Sequence, residues 1–83
     1  MIIYSIDAYS KKNEDLLFEI EISKDKINKL AQIMGWNEED KIEFLHGIGV
    51  YNINKKQAHL LEELIGRKFY SDELTLQLSA GGV

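Results

Sequence analysis

The sequence predicts an α+β fold, with a three- to four-stranded, mainly antiparallel sheet and two main helices, plus a short one, packed on one face of the sheet. Two observations predict it. Apolar and polar residues alternate near both ends of the chain, which is the pattern of strands with one buried face. Between these segments the apolar spacing changes to that of amphipathic helices. The predicted order is β-β-α-(α)-α-β, and the neighbour of the last strand in the sheet is left open.

The first two strands are predicted to form a β-hairpin. Residues 2–9 are apolar and prone to β-structure, and the polar residues 11–15 have turn chemistry. In the segment that follows, four apolar residues occupy alternate positions: Leu16, Phe18, Ile20 and Ile22. Two such runs around a short polar connector are typical of a hairpin.

The first main helix is predicted to begin at Ser23 and to end at Gly35. Ser23 is a good N-cap, and Asp25 complements the positive end of the helix dipole. Four residues with helical spacing form its apolar face: Ile27, Leu30, Ala31 and Met34. Gly35 is suited to a left-handed conformation at the helix end.

A short helix is predicted from Asn37, which precedes three acidic residues, to about Leu45. Its inward side chains are expected to be Ile42 and Leu45. The glycines of residues 47–49 end it. Residues 50–53 then form a brief extended stretch that is suited to an edge strand.

The second main helix is predicted to begin at Asn54, because Asn54 and Gln57 have the spacing of a capping box. Its inward residues are expected to be Ala58, Leu61, Leu64 and Ile65, and its outward residues Lys55, Lys56, Glu62 and Glu63. Gly66 ends it, and the alternation of Leu74, Leu76 and Leu78 predicts the last strand. These patterns predict one domain over residues 1–79 and a frayed tail over residues 80–83.

The composition restricts the classes of function. The 83 residues suffice for one domain, and the absence of cysteine excludes a disulfide framework and fits a reducing compartment. No apolar run approaches the ~20 residues of a membrane span, and the N-terminus lacks the pattern of a signal peptide. We therefore expect a cytoplasmic protein with no membrane partner. Because its formal charge is −4, we also expect no nucleic acid partner.

No set of residues predicts catalysis, a metal or a cofactor. His46 and His59 are the candidate bases, but no serine lies in a nucleophile elbow, and no His/Asp/Glu set has the spacing of metal ligands. We therefore expect a protein that is not an enzyme and that has no cofactor. A small hydrolase would be favoured only by a structure that places His46 or His59 in a cleft with a carboxylate.

Acidic and aromatic residues together predict a protein-binding surface. Aromatic side chains supply contact area, and carboxylates steer a basic partner and reject wrong ones. The predicted partner-binding residues are Trp36, Glu38, Glu39, Asp40, Glu43, Tyr51, Glu19 and Glu21. The alternative is a solvated acidic face on which Trp36 is a core anchor.

A family resemblance extends this interpretation. The segment Leu17–Ile22 leading into a helix, and the later segment Tyr51–Ala58, resemble those of small bacterial immunity proteins of contact-dependent inhibition and related polymorphic toxin systems. The likeness covers residues 4–78. It implies that the protein binds a cognate toxin domain, often a nuclease, and covers its active site or substrate groove. The rival hypothesis is a regulatory or structural module, such as a homodimer or a subunit of a larger complex, which exposed apolar residues around residues 50–53 would favour.

Overall fold

Four strands and three helices follow one another in the order β-β-α-α-β-α-β in the computed structural model, which describes residues 1–82. The elements are β1 (Ile2–Ser10), β2 (Leu16–Ile22), α1 (Ile27–Met34), α2 (Glu38–Leu45), β3 (Val50–Ile53), α3 (Lys55–Ile65) and β4 (Leu74–Gly82). The predicted α+β class is confirmed. The brief stretch at residues 50–53 is the fourth strand of the sheet.

All strand pairs of the sheet are antiparallel, and their order is β2-β1-β4-β3. The predicted hairpin is present, since β1 and β2 are neighbours. The last strand lies on the other side of β1, in a register that pairs Ser10 with Leu74 and Ile2 with Gly82. The terminal strands of the chain therefore form the two central strands of the sheet.

The predicted frayed tail at residues 80–83 is corrected for residues 80–82. These three residues continue β4 and pair with Tyr4, Ile3 and Ile2, while Val83 lies outside the described residues. The alternation that marks the strand in the sequence ends with Leu78, so the Ala-Gly-Gly segment has no pattern of its own. This segment is extended because all nine residues of β1 pair with residues of β4, so residues 80–82 have backbone partners in the sheet.

The core lies between the sheet and the three helices, which all pack on the same face. Its largest fully buried side chains are Phe44, Ile6, Leu30, Leu61 and Leu78. Tyr4, Ile6 and Ala8 of β1 point into this core, so the alternate residues of β1 point to the opposite face. No helix within residues 1–82 lies against that face.

The beginning of the first helix differs from the prediction. Residues Lys24–Lys26 form a turn of 3-10 helix, and α1 begins at Ile27. Ser23 has the extended backbone of an N-cap, but its side chain accepts no hydrogen bond from the helix. The predicted end is confirmed, because Gly35 has the left-handed φ of 72° and its N–H donates to the last turn.

Of the two residues of α2 that were predicted to point inward, Leu45 packs against the core, but Ile42 does not. Ile42 is 45% exposed, whereas Phe44 is completely buried. The rings of Tyr4 and Trp36 lie 5.3 and 4.9 Å from that of Phe44, so a large aromatic side chain, not apolar spacing alone, decides which face of this short helix is buried. The predicted N-cap is confirmed: Asn37 Oδ1 accepts from the N–H of Asp40 at 2.8 Å.

Candidate protein-binding surfaces

Six of the eight predicted partner-binding residues lie together at α2. We call them the α2 surface: Trp36, Glu38, Glu39, Asp40, Glu43 and Tyr51. The ring of Trp36 lies 4.9 Å from that of Phe44 and 4.7 Å from that of Tyr51. Trp36 and Tyr51 are both half-buried and pack against the core. The two aromatic residues therefore anchor α2 and β3 to the domain, and only part of each ring faces outward.

Charges on the α2 surface are only partly balanced. Lys41 Nζ lies 3.2 Å from Glu38 Oε1 and donates to Asn28 Oδ1 at 3.1 Å. Burial raises the pKa of the Tyr51 hydroxyl, and the nearby charges of Asp40 and Glu43 raise it further. Glu39 is exposed on the same helix. The α2 surface thus keeps a negative field around its half-buried aromatic pair.

Glu19 and Glu21 lie on a different surface. Ile20 and Ile22 of β2 are buried in the core, so Glu19 and Glu21 point away from the helices. We call this side of the sheet the open face, and its residues are Ile3, Ser5, Asp7, Tyr9, Leu16, Leu17, Glu19, Glu21, Val50, Asn52, Thr75, Gln77 and Ser79, with Leu16 and Leu17 at the register shift opposite Tyr9. The structure therefore divides the predicted eight-residue surface into two, with the sheet between them.

A hydrogen-bonded cluster at the centre of the open face was not predicted. Ser5 Oγ donates to Asp7 Oδ1 and Ser79 Oγ donates to Asp7 Oδ2, each at 2.7 Å. The two hydroxyl oxygens are 3.2 Å apart. Asp7 is only 7% exposed, although no helix covers it. Asp7 is the only charged residue of β1, and this was the available signal in the sequence, since burial of a carboxylate requires partners for its oxygens.

The edge strand β3 exposes apolar residues beside the α2 surface and the open face. Val50 is 61% exposed, and Ile48, just before the strand, is 59% exposed. β3 contains neither proline nor a charged residue, two of the devices that protect sheet edges. The opposite edge, β2, carries Glu19 and Glu21. Of the two edges, β3 is therefore the one better suited to pair with another strand.

The structure places His59 next to a carboxylate. His59 Nδ1 lies 2.9 Å from Glu62 Oε1, in a shallow cleft that is also lined by Arg67, Lys68 and Tyr70. Glu62 was predicted to face outward, but its side chain is 12% exposed, and Glu62 Oε2 accepts the backbone N–H groups of Phe69 and Tyr70 at 2.8 and 2.9 Å. Bonds from Tyr70, His59 and Phe69, in that order of effect, lower the pKa of Glu62 to about 2. Because ionised Glu62 only accepts hydrogen bonds, His59 Nδ1 is the donor.

In this cleft a carboxylate orients a histidine, which is the arrangement that the hydrolase hypothesis requires. The residues that line it include no serine, threonine or cysteine. His46 lines a separate groove together with Glu21, and no hydrogen bond joins the two side chains. The main role of Glu62 is structural, because it binds the backbone of the segment after α3.

Two further findings concern metal binding and membrane spanning. Within residues 1–82, no group of three or more His, Asp or Glu side chains is placed to hold a metal ion. No helix in that part of the chain is long and apolar enough to cross a membrane.

The sequence matches one protein-family model over most of its length. A model described as Domain of unknown function (DUF7683) matches residues 3–79. The chain belongs to this family. Neither the curated proteins nor the solved structures contain a significant match to it. The family match spans the sequence from β1 to β4, so both the α2 surface and the open face lie within the family domain.

Proposed function

We propose that the protein is a non-catalytic immunity protein that binds a cognate bacterial toxin domain in the cytoplasm and covers its active site or substrate groove. The resemblance of Leu17–Ile22 and Tyr51–Ala58 to immunity proteins suggests the class. A nuclease is the favoured toxin, because carboxylates can occupy the positions that nucleic acid phosphates take on a basic toxin surface. This interaction requires neither a metal nor a cofactor of the protein.

The observation that supports the proposal is negative charge that the protein does not balance internally. Within residues 1–82, Glu38 is paired with Lys41, and Glu62 accepts a hydrogen bond from His59. Predicted partner-binding carboxylates outside these pairs are Glu19, Glu21, Glu39, Asp40 and Glu43. Unbalanced charge of one sign raises the rate at which an oppositely charged protein associates. Fast association suits an antidote that must act before the toxin does damage.

The test is to combine the purified protein with the toxin domain encoded beside it. We expect one complex on size-exclusion chromatography, and we expect co-expression to protect cells from the toxin. Association should slow as salt is added, because the charges are screened. The proposal fails if no complex forms and co-expression gives no protection.

The second candidate is the regulatory or structural module, which the exposed β3 edge favours. Pairing of β3 with a second copy of itself would join two four-stranded sheets without placing like charges opposite each other. Sedimentation of the protein alone tests this hypothesis. A dimer at low micromolar concentration, which Val50→Lys converts to a monomer, would support it. A monomer at every concentration would leave the immunity proposal as the better one.

A further inference from the structure

All charged residues that define the open face are acidic. Its charged residues are Asp7, Glu19 and Glu21, and none of the residues that define it is lysine or arginine. The other positions are neutral polar or apolar. Because all three helices pack on the opposite side, no helix in residues 1–82 covers this face, and Glu19 and Glu21 are exposed on it.

Two of its carboxylates lie opposite each other. Asp7 of β1 is the direct cross-strand partner of Glu19 of β2. Like charges in this position destabilise a sheet. The hydrogen bonds of Asp7 come from the neutral hydroxyls of Ser5 and Ser79, not from a basic side chain. This pair therefore places two acidic side chains side by side, an arrangement that a cation from outside would complement.

We infer that the open face is the surface that docks a basic partner protein, whose lysine or arginine side chains lie over the exposed Glu19 and Glu21, beside the buried Asp7. Leu17 and Val50 add apolar contact at the two edges of the face, where they are 56% and 61% exposed. The inference rests on the proposed function and names the surface that this function uses.

Charge complementarity indicates which class of molecule binds the open face. A second copy would place one set of carboxylates against the other, and nucleic acid or an anionic membrane would be repelled in the same way. The dimensions also fit a protein. β1 and β4 have nine residues each, β2 has seven and β3 has four, so strands about 4.8 Å apart cover roughly 460 Å², more than half of the ~800 Å² that each partner contributes to a standard interface.

The α2 surface is the competing location, and it is less well suited. The rings of Trp36 and Tyr51 pack on each other and on the core, and Glu38 is paired with Lys41. Its aromatic residues therefore offer little free area to a partner. On the open face, both the carboxylates of β2 and the apolar residues at the edges are exposed.

Matched charge reversals distinguish the two surfaces. Glu19→Lys/Glu21→Lys alters the open face, and Glu39→Lys/Glu43→Lys changes the net charge equally on α2. All four residues are exposed, so both variants should fold. With the neighbouring toxin domain as the probe, we expect the first variant to raise Kd about tenfold or more and the second to change it less than threefold. Equal effects, or a larger effect on α2, would overturn the inference while the proposed function stands.

A second measurement does not depend on the toxin. A decalysine peptide is titrated into the ¹⁵N-labelled protein, and amide chemical shifts are followed by NMR. We expect the largest shifts in β1, β2 and β4, at residues such as Ser5, Glu19 and Gln77, and we expect them to vanish in Glu19→Lys/Glu21→Lys. Shifts centred on α2 or spread evenly would refute the inference. If the wild-type protein does not bind the toxin domain, the proposed function fails, and this titration alone decides the docking surface.

Discussion

At the scale of single residues, the side chain of Glu62 connects a helix to the loop that follows it. Its two oxygens accept hydrogen bonds from His59 Nδ1 and from the backbone N–H groups of Phe69 and Tyr70. Phe69 is 8% exposed and belongs to the core. Because the last turn of α3 ends at Gly66, no helical carbonyl is available to these two N–H groups. Glu62 thereby fixes the position at which the chain re-enters the core.

We expect Glu62→Ala to lower the free energy of unfolding by about 2–3 kcal/mol, because hydrogen bonds to a charged acceptor contribute about 1.5–3 kcal/mol and their loss leaves N–H groups unpaired. Urea denaturation measures this change. Glu63→Ala is the matched control, since Glu63 is exposed on the neighbouring position and makes no such bonds. It should change the free energy by less than about 0.5 kcal/mol. Equal effects of the two substitutions would contradict the role of Glu62.

The stabilisation by Glu62 should depend on pH. Its pKa falls from an ordinary 4.5 to about 2 in the folded protein, so folding favours the ionised form. The contribution is therefore complete above pH 4.5 and is lost as the pH falls towards 2. We expect the stability difference between the wild type and Glu62→Gln to be smaller at pH 3 than at pH 7. The corresponding difference for Glu63→Gln should not follow this course, and a constant difference for Glu62→Gln would contradict the argument.

At the scale of elements, α3 begins with a complete capping box. The N–H of Gln57 donates to Asn54 Oδ1 at 2.8 Å, and the N–H of Asn54 donates to Gln57 Oε1 at 2.9 Å. We expect Asn54→Ala to cost about 1 kcal/mol of stability, as loss of an N-cap does elsewhere. Lys56→Ala, an exposed residue in the first turn, is the control and should have little effect. A thermal melt of both variants tests this, and an unchanged Tm for Asn54→Ala would show that the cap is not needed.

Local signals in the sequence predicted the elements that depend on local chemistry. The capping box, the left-handed glycines after α1 and α3, and the alternation in β2 are all set within a few residues, and each is confirmed. The predictions were wrong where contacts between residues far apart in the sequence determine which side chains are buried. Phe44 is buried because Tyr4 and Trp36 meet it, and Glu62 turns inward because a later loop needs an acceptor.

For the candidate surfaces, too, local features could be predicted and contacts between distant residues could not. The acidic residues are evident in the sequence, but the predicted surface joined Glu19 and Glu21 with α2, because the sequence shows which residues share a face of a strand and not where that face lies relative to a helix. The cross-strand pair of Asp7 and Glu19 depends on hairpin register, which the five-residue connector did not determine.

At the scale of the whole molecule, the two ends of the chain meet at the centre of the sheet. β1 and β4 are the central strands, and they pair from Ser10–Leu74 to Ile2–Gly82. This pairing joins residues that are far apart in sequence, so loop closure must precede it during folding. The hairpin and α3 depend on nearby residues, whereas the complete sheet depends on the C-terminal strand.

Removal of residues 80–83 should therefore destabilise the protein, which a frayed tail would not do. A chain ending at Ser79 loses the pairing of residues 80–82 with Tyr4, Ile3 and Ile2, and it loses Ala80, which packs against the core. At about 0.5–1.5 kcal/mol for each net hydrogen bond, we expect a loss of roughly 1–3 kcal/mol. Urea denaturation of this chain is compared with that of a chain lacking Val83 alone, which should match the wild type more closely. If the chain ending at Ser79 is as stable as the wild type, the last residues of β4 do not contribute to the sheet in solution.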